Sequence, residues 1–100
     1  MANKMRAIHP GEILRGELEE LDLSANVFAQ KLAVPTNRIT MILNEKRAIT
    51  ADTAIRLARF FGSTPEFWMN LQLEYDLKTE LAKKWDHIKK HVLPYDKEAA

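Results

Sequence analysis

The stretch Ser24-Ala25-Asn26-Val27-Phe28-Ala29-Gln30-Lys31-Leu32-Ala33-Val34-Pro35-Thr36-Asn37-Arg38-Ile39-Thr40-Met41-Ile42-Leu43-Asn44 decides the fold. A helix start leaves four backbone N–H groups unpaired, and a Ser hydroxyl takes one of them, so Ser24 reads as an N-cap. Leu23 before it and Phe28 at the fourth helical position have the spacing of a hydrophobic staple. Phe28, Ala29 and Leu32 then share one buried face. Val34-Pro35 ends this helix, because the residue before a proline avoids helical geometry. Another short helix begins at Pro35 or Thr36 and runs to about Asn44. Two short helices joined by so tight a turn predict a helix-turn-helix. Ala29 suits it, since close crossing of the two helices needs a small side chain.

The second of these helices can be read by angle. A helix turns about 100° per residue, so with Ile39 at zero, Leu43 lies near 40° and Ile42 near 300°. Those three face a core. The opposite arc holds Asn37, Thr40, Met41 and Asn44, with Arg38 on its flank and no acidic residue. Such an inventory suits a DNA major groove: Arg for guanine, Asn for adenine, and Thr or Met methyls against the thymine methyl. Lys46 and Arg47 follow at once and are placed to grip phosphates, which position a protein without specifying sequence. The plainer alternative is a solvated polar face, with Met41 touching a neighbouring helix.

Working outward, the pattern stays helical. Leu14, Leu18 and Leu21 predict a helix from about 10 to 21, opened by Pro10 and weakened by Gly16. Thr50 caps a fourth helix, Asp52 suits the dipole of its first turn, and Ala54, Leu57, Ala58 and Phe61 form its inner face until Gly62 stops it. Thr64-Pro65-Glu66 starts a fifth, carrying Phe67, Trp68, Leu71 and Tyr75. A later stripe of Leu77, Leu81, Trp85, Ile88 and Val92 either continues that helix or forms a sixth, before Pro94 and a frayed tail. Phe67, Trp68 and Leu71 read as core. Leu81, Trp85 and Ile88 are either core or a surface for dimerisation or partner docking, where exposed Trp is over-represented.

Composition narrows the function. The 100 residues suit one all-α domain, and 46% hydrophobic with 29% charged content is ordinary for a globular chain. Cys is absent, which removes disulfides, thiolate nucleophiles and Cys-based zinc sites. There is no apolar run of about 18 residues, and the basic start leads into His9-Pro10-Gly11-Glu12 rather than an apolar stretch, so neither a membrane span nor a signal peptide is expected and the cytoplasm is the default location. The net charge of +1 hides a layout of −4 over 9–23, +4 over 24–62, −3 over 63–82 and +3 over 83–97. A basic middle favours an anionic partner. His87 and His91 share a helix face, but no third ligand or HExxH pattern joins them, so no metal is expected. No phosphate-binding glycine loop or Ser–His–acid arrangement is legible, so neither catalytic residues nor a cofactor is expected.

The sequence also resembles a known family. Ile8-His9-Pro10-Gly11-Glu12-Ile13-Leu14-Arg15 is similar to the opening of HigA-type antitoxins, also described as VapI-like plasmid-maintenance antidote proteins. The likeness continues through Val34-Pro35-Thr36-Asn37-Arg38-Ile39 and from Leu43 to Ala54. It resumes in Arg56-Leu57-Ala58-Arg59-Phe60-Phe61-Gly62 and from Thr64 to Gln72, so it covers about residues 8–77. The resemblance implies a five-helix domain of the lambda-repressor-like (XRE) class at 8–77. A flexible arm at 1–7 would precede it, and a helical extension and tail at 78–100 would follow. It implies a dimeric repressor of its own toxin–antitoxin operon that binds operator DNA and neutralises a HigB-type mRNA-cleaving toxin. Thr36, Asn37, Arg38, Thr40 and Met41 match recognition-helix positions of the family, and Asn44, Lys46 and Arg47 match the loop that follows. Three positions depart from the pattern: Ala33 and Glu45 stand where Gly is usual, and Ala25 where Gln is common. A stand-alone repressor without a toxin, or a protein-interaction module that no longer binds DNA, would share most of these features.

Overall fold

Side-chain caps set where the helices begin. The His9 ring accepts a hydrogen bond from the Gly11 N–H at 2.9 Å, the Ser24 hydroxyl from Val27 at 3.1 Å, and the Thr64 hydroxyl from Phe67 at 3.2 Å. These caps open three of the five helices in the computed structural model, which describes residues 6–95. The order is α1 (Pro10–Leu21), α2 (Ala25–Leu32), α3 (Thr36–Leu43), α4 (Ala51–Phe61) and α5 (Pro65–His91). The described residues contain no strand, so the all-α, five-helix expectation holds. Thr50 sits at the start of α4 as expected, but its hydroxyl faces that of Thr53 at 3.4 Å instead of capping the backbone.

Left-handed residues set where the first four helices stop. Asp22, Ala33, Glu45 and Gly62 have φ of 54°, 57°, 61° and 70°. After α2, the Ala33 N–H donates to Gln30 and the Val34 N–H to Ala29. After α3, Glu45 donates to Ile42 and Lys46 to Met41. Both are Schellman closures, which satisfy the last carbonyls of a helix through one left-handed residue. The turn between α2 and α3 is therefore made by Ala33, one residue ahead of the Val34-Pro35 stop read from sequence. The left-handed region costs a residue with a Cβ about 1–2 kcal/mol relative to Gly. Gly, which the family resemblance leads one to expect at the positions of Ala33 and Glu45, would avoid that cost.

The core lies where all five helices meet. Leu14, Phe28, Ala29, Ile39, Ile42, Ala54, Leu57 and Trp68 are buried, joined by Ile49 from the loop before α4. Phe61 bridges Phe28 and Trp68, with ring centroids 5.8 and 5.7 Å away. Gly11 lets α1 approach the end of α3: a Cβ there would lie 1.9 Å from the Ile42 carbonyl oxygen.

The later apolar stripe continues α5 without a break to His91. At about 1.5 Å per residue this 27-residue helix is about 40 Å long, and it accounts for much of the 59 Å long axis. One sequence reading needs correcting here, and one alternative left open by the sequence is closed. Phe67 is 47% exposed, because Trp68 and Gln72 take the core-facing side of α5. Leu81, Trp85 and Ile88 do not pack inside the chain but are 52%, 49% and 37% exposed, because α5 has by then left the other helices. Most of the expected N-terminal arm (residues 1–5) and of the expected tail (96–100) lies outside the described residues.

Candidate functional site

Burial sorts the two faces of α3 as the helical angle requires. Ile39 and Ile42 are fully buried and Leu43 is half-buried. Asn37, Met41 and Asn44 are exposed, and Thr36, Arg38 and Thr40 are half-buried. Met41 is 40% exposed. Lys46 and Arg47 stand exposed on the loop directly beyond. The eight residues singled out in the sequence thus occupy one continuous surface, running along α3 and over the loop.

Several of these side chains are already engaged. The Thr36 hydroxyl donates to Asn26 Oδ1 at 2.8 Å, so an α2 amide is fixed beside the start of α3. The Thr40 hydroxyl donates back to the Asn37 carbonyl at 3.3 Å. Arg38 is ion-paired with Asp52 at the start of α4, and Arg56 Nε reaches the same carboxylate oxygen at 2.9 Å. Hydrogen bonds from Arg56 first, then Arg38, hold the Asp52 carboxyl below the usual carboxylate range. Arg56 also donates to the carbonyls of Leu32 at 2.8 Å and Ala33 at 3.2 Å. One α4 arginine therefore ties the α2–α3 turn to the partner of Arg38.

Residues 14–68 match the helix-turn-helix family. A solved structure from Coxiella burnetii, an addiction-module antidote protein of the HigA family, is 63% identical with a TM-score of 0.89, covering 91% of this chain and all of that one. The chain belongs to the HigA-type antitoxins of the helix-turn-helix family. The Pseudomonas aeruginosa antitoxin HigA, solved with the higBA promoter, is 46% identical with a TM-score of 0.88, again covering 91% of this chain and all of that one. Virulence-associated protein I of Dichelobacter nodosus is 54% identical over 77 residues, 76% of this chain and 71% of that relative.

The HPGE opening of this HigA-type chain has a physical reading. His9 caps α1 and is 3% exposed, Pro10 takes a position where no N–H is needed, and Gly11 admits the Ile42 carbonyl. Glu12 receives a two-pronged ion pair from Arg6 at 2.9 and 2.7 Å, which holds its carboxyl below the usual range. The His9 ring packs edge-on against Tyr75 of α5, with centroids 4.8 Å apart. Burial pushes its pKa below the ordinary histidine value.

Sequence reasoning missed the residues behind the surface. Arg15 donates to the Leu43 carbonyl at 2.9 Å and to Asn44 Oδ1 at 3.4 Å. Gln72 is 5% exposed and accepts from the Ile49 N–H at 2.7 Å, while its amide donates to Asp76 at 2.9 Å. Two signals were available. Arg15 is the lone base of an acidic segment, and Gln72 is a polar residue one helical turn beyond Trp68 on an apolar face. His87 and His91 stack with centroids 4.2 Å apart, and no group of three metal-ligating side chains occurs among the described residues. No described helix is long and apolar enough to cross a membrane.

Proposed function

We propose that this chain is a DNA-binding antitoxin that represses its own toxin–antitoxin operon and neutralises a HigB-type mRNA-cleaving toxin. The observation that carries the reading is the acid-free outward face of α3, continued by Lys46 and Arg47, in a chain that shares its fold and 46% identity with a promoter-bound HigA. Asn37, Thr40, Met41 and Asn44 face the base edges, Thr36 and Arg38 flank them, and Lys46 and Arg47 meet phosphates. Asp52 sets the direction of the Arg38 guanidinium.

The reading includes a two-fold dimer, with the half-sites about one helical turn of DNA apart. The exposed stripe of Leu81, Trp85 and Ile88 on α5 is its interface, and a second copy suits it by charge. Residues 63–82 carry −3 and residues 83–97 carry +3, so two antiparallel α5 helices set acid against base.

Fluorescence anisotropy on labelled DNA from just upstream of the chain's own operon tests the repressor half, with a scrambled duplex beside it at two salt concentrations. The expected result is a clear margin over the scramble and a fall of about 0.9 log units in affinity per log unit of salt for each phosphate contact. Asn37→Ala should cost about 1–3 kcal/mol and relax preference at one base position. Equal, weak binding to both duplexes would overturn the reading. Co-expression with the adjacent short reading frame tests the other half: a co-purifying product whose mRNA cleavage this chain blocks is expected, and DNA binding without such a product leaves a stand-alone repressor.

A further inference from the structure

We propose that Arg15 and Gln72 are positioning residues that lock the loop over 44–50, so that Lys46 and Arg47 meet the DNA backbone from a fixed path; this rests on the DNA-binding reading above. Loop backbone has no ladder of its own to satisfy its polar groups. Here a backbone group at each end of one short loop is satisfied by a side chain from another element. Where it leaves α3, Arg15 of α1 holds the Leu43 carbonyl at 2.9 Å. At its end, the buried Gln72 of α5 accepts from the Ile49 N–H at 2.7 Å.

The anchors bind backbone and leave the Lys46 and Arg47 side chains free to point outward. Gln72 cannot swing away cheaply, because its amide is held by Asp76 at 2.9 Å. Ile49 cannot leave cheaply either, being 2% exposed in the core. A loop fixed before binding loses less conformational freedom when its cations engage phosphates. The locked path therefore serves affinity for any duplex, while the α3 face serves sequence preference.

Two readouts on Gln72→Met test this. Amide exchange at Ile49 should accelerate by about tenfold or more, with α4 amides such as Leu57 unchanged, since the lost acceptor strands a buried donor. Affinity should fall by about tenfold or more on own and scrambled duplexes alike, with a shallower salt dependence. In a Lys46→Ala, Arg47→Ala background, Gln72→Met should cause no further loss. Gln72→Glu together with Asp76→Asn keeps an acceptor for Ile49 and a donor–acceptor pair along α5, and should restore slow Ile49 exchange and affinity. Unchanged Ile49 exchange, fast exchange with unchanged affinity, or full additivity with the loop substitutions would each overturn the proposal. A wild-type chain that fails to bind DNA would instead overturn the functional reading, while Ile49 exchange still reports whether the lock exists.

Discussion

Glu45 combines two liabilities in one residue. Its φ of 61° lies in the left-handed region, and its carboxylate stands beside the two loop cations. Glu45→Gly removes both. It should raise stability by about 1 kcal/mol, read as a higher denaturant midpoint, and should tighten DNA binding most at low salt. Ala33→Gly shares only the backbone effect. It should stabilise similarly and leave the salt dependence of DNA binding alone. A destabilising Ala33→Gly would contradict the left-handed turn. His9 gives a pH signature. Burial lowers its pKa in the folded chain, despite the opposing fields of Glu45 and Asp76. The unfolded chain therefore takes up its proton first as pH falls, and stability declines from about pH 6.5 until the folded ring is protonated too. His9→Asn keeps a capping oxygen but has no ring to titrate, so unfolding curves between about pH 7 and 5 should lose that slope.

Two glycines of α1 separate packing from propensity. A Cβ at Gly11 would strike the Ile42 carbonyl at 1.9 Å, whereas one at Gly16 would meet nothing within 4 Å. Gly11→Ala must push α1 off α3 and should cost about 3 kcal/mol or more. Gly16→Ala should stabilise by about 0.5–1 kcal/mol through helix propensity alone. Thermal unfolding of the pair checks both signs. The helices themselves were legible because their signals are local: Ser24 and Thr64 announce starts, Gly62 a stop, and the apolar spacing the buried side. The outward face of α3 was legible for the same reason, since Asn37, Met41 and Asn44 are set apart from Ile39 and Ile42 by angle alone. The scaffold behind it was not. Arg38 meets Asp52 across 14 positions, Arg56 meets Leu32 across 24, and Gln72 meets Ile49 across 23. Such pairs exist only once the helices have docked. Phe67 misled because aromatic residues usually face inward, yet a single helix offers a core only one stripe, and Trp68 filled it.

At the scale of the whole molecule, α5 is the element the rest of the chain does not explain. Described residues from 80 onward are all exposed, so its second half rests on no other helix. An isolated segment of that length is marginal as a helix in water, even with Glu80–Lys84 paired at 2.9 Å one turn apart. Pairing with a second copy would supply the missing packing. It would also place two α3 faces at a fixed separation, and that separation sets half-site spacing. Trp85 is the largest side chain on the stripe and 49% exposed in the single chain, so it should dominate the interface. Trp85→Ala should weaken self-association by about 30-fold or more in sedimentation equilibrium, the equivalent of about 2 kcal/mol. Because Trp85 lies outside the core, unfolding of the α1–α4 region, followed by amide exchange at Leu57, should be unchanged at concentrations where both forms are monomeric. Binding to a duplex with two half-sites should fall with the dimer, while binding to a single half-site should not. If Trp85→Ala remained as dimeric as the parent chain, the α5 interface would be wrong, and half-site spacing would have to be set by another surface.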